Sequence, residues 1–134
     1  MTTDELAKGY LRKCSDRLAA LDVLQARQAW SDVVRESQEV VELALKGMLR
    51  AVGIDPPKWH DVGALLVEHA QRFAVEESVL EALAKASKDL RKEREFSFYG
   101  DIDFIPTMEY TADDAAQALQ HAQTATATLN QILA

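Results

Sequence analysis

The sequence predicts an all-α fold, a single-domain antiparallel bundle of about five helices. Three observations predict it. Apolar residues recur in steps of three and four through four long stretches, which places them on one face of an α-helix. The three prolines, Pro56, Pro57 and Pro106, all fall between those stretches rather than inside them. Hydrophobic residues make up 48% of 134 residues and charged residues 28%, a balance that suits one domain with a real core.

Residues 3–24 carry Leu6, Tyr10, Cys14, Leu18 and Leu21 on one stripe, with Lys8, Arg12, Lys13, Asp16 and Arg17 mostly outward. Residues 26–52 follow at once, so a tight turn must join antiparallel neighbours. In this second stretch Trp30, Val33, Val34, Val40, Val41, Ala44, Leu45, Met48, Leu49 and Val52 make a face wider than a two-helix seam requires. It is therefore expected to be the central helix and to touch several others. Glu42 and Lys46 stand one turn apart in the favourable order, worth roughly 0.2–0.5 kcal/mol, so packing must supply most of the stability. Gly53 then supplies a helix stop, and Pro56-Pro57 forbid continuation. Trp30 and Trp59 read as core anchors.

Asp61 is a plausible N-cap for a short third helix bearing Val62, Leu65, Leu66 and Phe73. A fourth helix spans about 76–98, with Val79, Leu83, Ala86 and Leu90 as its buried stripe. The next step of four lands on Arg94, a cation where the pattern calls for a core residue. A buried, unpaired guanidinium is costly, so Arg94 must meet an acid such as Asp101, a carbonyl or a partner. Residues 100–110 show no helical period and contain Gly100 and Pro106. They read as an ordered excursion in which Ile102, Phe104, Ile105 and Tyr110 need burial. The last helix opens at Thr111 with Asp114 three residues on, an acidic relative of the capping box, and Ala115, Ala118, Leu119, Ala122, Leu129 and Leu133 line its inner face.

Composition narrows function by exclusion. The net charge of −7 repels nucleic acid and argues against a dedicated DNA- or RNA-binding module. No membrane span and no signal peptide can be read, and a single cysteine, Cys14, excludes an internal disulfide and fits a reducing cytoplasm. Cys14 lies on an apolar stripe and reads as buried filler. Lys85, Lys88, Arg91 and Lys92 are interrupted by Asp89 and Glu93, so they read as a solvated face and not as an RNA strip. His69 and His121 have no second histidine at metal spacing, and no Glu-x-x-His pair exists, so neither a metal nor another cofactor is expected. His60, beside Asp61, reads as a hydrogen-bonded histidine at a helix start or, on the sharper reading, as a ligand- or partner-binding group.

Three stretches in order carry a resemblance: Ser37–Leu49 of the central helix; Gly53–Leu66, including Trp59-His60-Asp61; and Arg94-Glu95-Phe96-Ser97-Phe98-Tyr99-Gly100-Asp101 with Asp103-Phe104-Ile105-Pro106. In these the chain resembles the HEPN domain family, the higher eukaryote and prokaryote nucleotide-binding domain. The resemblance implies a helical bundle that forms homodimers and, in many prokaryotic members, works beside a minimal nucleotidyltransferase as a toxin–antitoxin pair. Ribonuclease members carry an arginine followed after four to six residues by a histidine, and Arg94 corresponds to that arginine. The histidine is absent here: the residue at the corresponding place is Tyr99. A phenol, with an ordinary pKa near 10, is a poor proton acceptor at neutral pH, and losing an imidazole is expected to cost about 10²–10⁴ in rate.

The resemblance therefore implies a non-catalytic interaction component, with Arg94, Tyr99, Asp101 and His60 as ligand- or partner-binding candidates. Two alternatives stand beside it. One is a metal-independent endoribonuclease toxin using Arg94 with a substituted acid–base group such as Tyr99. The other is a nucleotide-binding module at a dimer cleft, where RNA or a nucleotide would meet Arg94 and Asp101. Some members have a tyrosine near this motif modified by the partner transferase, which makes Tyr99 a candidate for the same modification.

Overall fold

Burial of one helix on nearly all sides sets the architecture. A computed structural model describes residues 3–56, 58 and 61–134, without the side chains of Thr3, Arg94 and Glu95. The chain forms α1 (Thr3–Ala26), α2 (Trp30–Ala51), α3 (Val62–Glu68), a 3₁₀ turn (Ala70–Arg72), α4 (Glu77–Phe98), a one-turn α5 (Pro106–Glu109) and α6 (Ala112–Leu133). Pro57, Trp59 and His60 lie outside the described residues. The all-α bundle of five substantial helices expected from the sequence is the fold observed. No helix among the described residues is long and apolar enough to cross a membrane.

α2 is the central helix. It packs against α1, α3, α4, α5 and α6, and twelve of its 22 residues are buried. Val33, Val40, Val41, Leu45, Met48 and Leu49 have no exposed surface, and full burial of such a side chain contributes about 1.5–3 kcal/mol. Trp30 is partly buried against this core. Glu42 and Lys46 approach only to 3.9 Å, consistent with a small contribution from that pair. Cys14 is fully buried with its Sγ 3.7 Å from the Val40 carbonyl oxygen, and burial pushes its thiol up to about 11. It is filler, as expected.

Several helix phases differ from the simplest reading of the sequence. In α1 the fully covered residues are Ala7, Cys14 and Leu21, with Leu11 and Leu18 partly buried between them, while Tyr10 sits at the edge. In α4 the stripe runs Leu80, Leu83, Ser87, Leu90 and Ser97, flanked by Ala86, and Val79 is only partly buried. Leu83, Ala86 and Leu90 are buried as expected, and the addition is Leu80, which takes the fully buried place beside Val79. α3 comes close enough that a Cβ on Gly63 would meet Ala84 Cα at 2.7 Å.

The helix ends follow from capping chemistry. Asp61 accepts from the Gly63 and Ala64 amides at 3.0 and 3.4 Å, and it also meets Arg91 at 3.3 Å, tying α3 to α4. Thr111 and Asp114 complete a reciprocal capping box at α6, with bonds of 2.9 and 3.2 Å. At the end of α2, Gly53 has φ +81°; its amide donates to Arg50 O at 3.0 Å and the Ile54 amide to Leu49 O at 2.9 Å. This is a Schellman stop. The end of α1 has the same hydrogen bonds, Gln28 to Gln25 O and Ala29 to Leu24 O, both 3.0 Å, but with Gln28 at φ +59° in the left-handed position.

Two substitutions test these stops. Open space surrounds a Cβ at Gly53, so Gly53→Ala acts through backbone strain alone and is expected to lower stability by about 1 kcal/mol. Gln28→Gly relieves the left-handed strain, net of the extra freedom glycine gives the unfolded chain, and is expected to raise stability by about 0.5 kcal/mol. Urea denaturation monitored by circular dichroism measures both.

Candidate functional site

The candidate site is the C-terminal end of α4 and the turn that follows it. Arg94 lies within α4 four residues after buried Leu90 and three before buried Ser97, so its backbone keeps the register of the buried stripe. Its side chain lies outside the described residues, and with it the ion pair expected between Arg94 and Asp101. His60 lies outside them as well. Of the four candidates, the side chains of Tyr99 and Asp101 are described, and they stand two positions apart at the start of one turn.

Tyr99 is the first residue beyond α4, with 75% of its surface exposed. Its ring packs edge-on against Phe98, centroids 4.8 Å apart. The Arg35 guanidinium from α2 lies over the other ring of this pair, 4.7 Å from the Phe98 centroid. Such a cation–π contact contributes about 0.5–1 kcal/mol at a partly exposed site. Arg35 also stands 3.5 Å from both Glu36 and Glu39, so it is held on several sides.

The turn after Tyr99 is rigidly specified. Gly100 has φ +74°, and a Cβ there would overlap the Phe104 carbonyl oxygen and approach Pro106 Cδ to 2.6 Å. Asp101 and Phe104 exchange both backbone hydrogen bonds at 2.9 Å, and the Asp101 carboxylate accepts from the Ile102 amide at 2.7 Å. Asp101 therefore acts locally as a turn former. Among the described residues no group of three or more His, Cys, Asp or Glu side chains is placed to hold a metal ion.

Two expectations for this segment are corrected. Residues 100–110 do contain helix, the single turn α5 that starts at Pro106, where a missing amide costs nothing. Ile102 and Ile105 are not buried: Ile102 is 93% exposed at the tip of the turn, and Ile105 and Met108 are also exposed. Of the four residues expected to be buried, Phe104 and Tyr110 turn inward, each half-buried. The core is already filled by α2 and its neighbours, so the turn has no interior to enter.

Phe104 joins two surfaces. Its ring lies 5.6 Å from Phe96 and 5.7 Å from Tyr110, edge-on to both. Beyond it a cleft of about 380 Å³ opens among α4, α5 and α6, lined by Asp89, Glu93, Glu109, Asp114 and His121 as well as Tyr110. The Tyr110 hydroxyl donates to Glu93 at 2.6 Å. Burial, and then the Glu93 carboxylate, push the Tyr110 phenol well above its ordinary range. Lys85, Lys88 and Lys92 of α4 lie on a solvated face, with Lys85 paired to Asp89 at 2.6 Å, and Arg91 beside them is paired to Asp61.

Sequence reasoning missed Arg35, the exposed Phe96 and Phe98, and the Glu93–Tyr110 bond. One signal for the aromatics was available: residues two apart on a helix face different ways, so Phe96 and Phe98 could not both point inward. The other two join residues 63 and 17 positions apart and leave no local pattern.

The sequence model of the HEPN domain matches residues 7–132, nearly the whole chain. No curated protein and no solved structure matches it.

The Glu93–Tyr110 bond sets a pH dependence. Above pH about 10 the unfolded chain releases the phenolic proton while the folded chain keeps it, so stability must fall as pH rises. Tyr110→Phe is expected to cost about 1 kcal/mol at pH 7, less if solvent screens the bond, and to flatten the decline above pH about 10. Thermal melts of both proteins between neutral and alkaline pH measure it.

Proposed function

The chain belongs to the HEPN domain family, and from that premise we propose that it is a non-catalytic interaction component of a two-protein nucleotidyltransferase system of toxin–antitoxin type, working as a homodimer. The observation that carries the reading is what stands at the end of α4. No histidine occurs between Arg94 and His121, and the place of the acid–base group is taken by an exposed tyrosine beside an exposed phenylalanine. Cleaving RNA without a metal requires activating the 2′-hydroxyl and protonating the leaving oxygen, and a phenol does neither well at neutral pH. Exposed aromatic surface suits contact with another macromolecule instead.

Tyr99 is also proposed as the residue acted upon. Its exposure, and its position just before the turn built by Gly100 and Asp101, support that reading. The transferase partner is thus proposed to meet this chain at the α4 end, where Arg35, Phe98 and Tyr99 are assembled.

Three measurements test the proposal. Expression of wild type and Arg94→Ala is expected to give equal growth; toxicity that disappears in Arg94→Ala would instead establish the ribonuclease reading. Light scattering at micromolar concentration is expected to show a dimer. Co-expression with the nucleotidyltransferase encoded beside it is expected to give a complex that co-purifies, and mass spectrometry after incubation with ATP is expected to locate any nucleotidyl adduct on Tyr99. A monomer that never co-purifies with the transferase would overturn the proposal.

A further inference from the structure

The last turn of α4 has two unlike sides. Residues two apart stand about 200° around a helix axis, so Phe96 and Phe98 leave α4 on nearly opposite faces. Phe98 turns to Arg35, and Phe96 turns to Phe104. On the Phe96 side, exposed Phe96 meets Phe104, and Ile105 and Met108, on the helical turn that follows Phe104, add exposed apolar side chains. The Phe104 ring belongs to this side and also to the wall of the carboxylate-lined cleft. Apolar surface and negative charge are therefore continuous through one side chain.

The charges in that cleft are unequally satisfied. Asp89 has Lys85, and Asp114 is engaged in the α6 cap. Glu93 accepts a hydrogen bond from Tyr110, a neutral donor that leaves the negative charge in place. Neither Glu93 nor Glu109 has a cationic partner among the described residues.

We propose that this face docks a protein partner whose surface carries apolar side chains beside an arginine or lysine, with the cation entering the cleft at Glu93 and Glu109. Charge complementarity selects this occupant over the others. RNA is repelled by four carboxylates in one cleft. A second copy docked two-fold would bring two copies of the same carboxylate-lined cleft into one interface, in a chain already at −7. A cation on an apolar partner surface meets both halves of the face at once. The inference deepens the interaction role proposed above by naming the chemistry of the partner's surface, and it rests on that role only in taking the occupant to be a protein.

The test uses the full chain and two synthetic amphipathic helical peptides with the same leucine face, one margined with arginine and the other with glutamate. Fluorescence anisotropy is expected to show binding of the arginine peptide, weakened by added salt, and none of the glutamate peptide. Glu93→Gln/Glu109→Gln removes the charge while the glutamine still offers Tyr110 an acceptor, and Ile105→Ser/Met108→Ser alters only exposed side chains. Each double variant is expected to weaken the arginine peptide about tenfold. Equal affinity for the two peptides, undiminished affinity in the carboxamide variant, or no binding of either peptide would overturn the proposal. So would a dimeric wild type that becomes monomeric in Ile105→Ser/Met108→Ser, since a second copy would then own the face. Failure to co-purify with a nucleotidyltransferase, by contrast, removes the earlier reading and leaves this result standing.

Discussion

The requirement that α2 be covered on nearly every side governs this structure. A helix with paired apolar positions cannot bury its surface against one neighbour, so α1, α4 and α6 surround it and α3 fills the remaining flank. Close approach is made possible by small residues. A Cβ on Gly47 of α2 would stand 2.9 Å from Leu129 Cδ2 of α6, and α6 presents Ala115, Ala118, Ala122 and Ala125 inward. This completeness has a cost in the interior. Gln38 is buried; its amide nitrogen donates to Glu42 at 2.8 Å, while its carbonyl oxygen has no hydrogen-bond partner among the described residues. An unsatisfied buried polar atom costs about 1–3 kcal/mol, comparable to the gain from one well-buried aliphatic side chain.

A core closed in this way explains the surface at the α4 end. Once α2 is enclosed, the chain between α4 and α6 reaches the apolar interior only in part, through Tyr110. Phe104 stacks between Phe96 of α4 and Tyr110, while Ile102, Ile105 and Met108 face water. The backbone is nonetheless well specified by Gly100, the Asp101–Phe104 bridge and the one-turn helix at Pro106. Exposed apolar side chains on a defined backbone lose little freedom on binding, which is what distinguishes a recognition surface from a loose loop.

How much of this was legible in the sequence depended on the range of the interaction. The central helix, the Gly53 stop, the Asp61 cap and the Thr111–Asp114 box were legible because each is written within a few residues. The phases of α1 and α4 were less so. Periodicity favours Tyr10 and Val79, yet it is Leu11 and Leu80 that the neighbours take up. A helix with apolar residues on two adjoining stripes does not say which one will be chosen. The burial expected of Ile102 and Ile105 failed for a related reason: hydrophobicity states a preference, and the space to honour it is set by the rest of the molecule. For the candidate site, the sequence singles out Tyr99 and Asp101 but not their settings, which come from Arg35 by way of Phe98 and from Phe104, contacts that exist only in three dimensions. Arg94 was legible as an anomaly of register, and that register is the feature of it which the fold retains.

Helix geometry then gives the α4 end a capacity that neither of its sides has alone. Because Phe96 and Phe98 diverge by about 200°, one turn of helix presents a guanidinium-backed aromatic pair in one direction and an aromatic wall leading to carboxylates in another. Their chemistries differ: one is a guanidinium paired with Glu36 and Glu39 and stacked on Phe98, the other a cleft lined by carboxylates. A surface complementary to one is therefore a poor fit for the other. Occupying one side need not block the other, yet both are fixed by the same helix turn and the same Gly100 backbone. A substitution in that turn should therefore disturb both contacts together, whereas substitutions at Arg35 or Glu93 should separate them. That asymmetry follows from the helical period and the placement of two phenylalanines, and it requires no catalytic group at the end of α4.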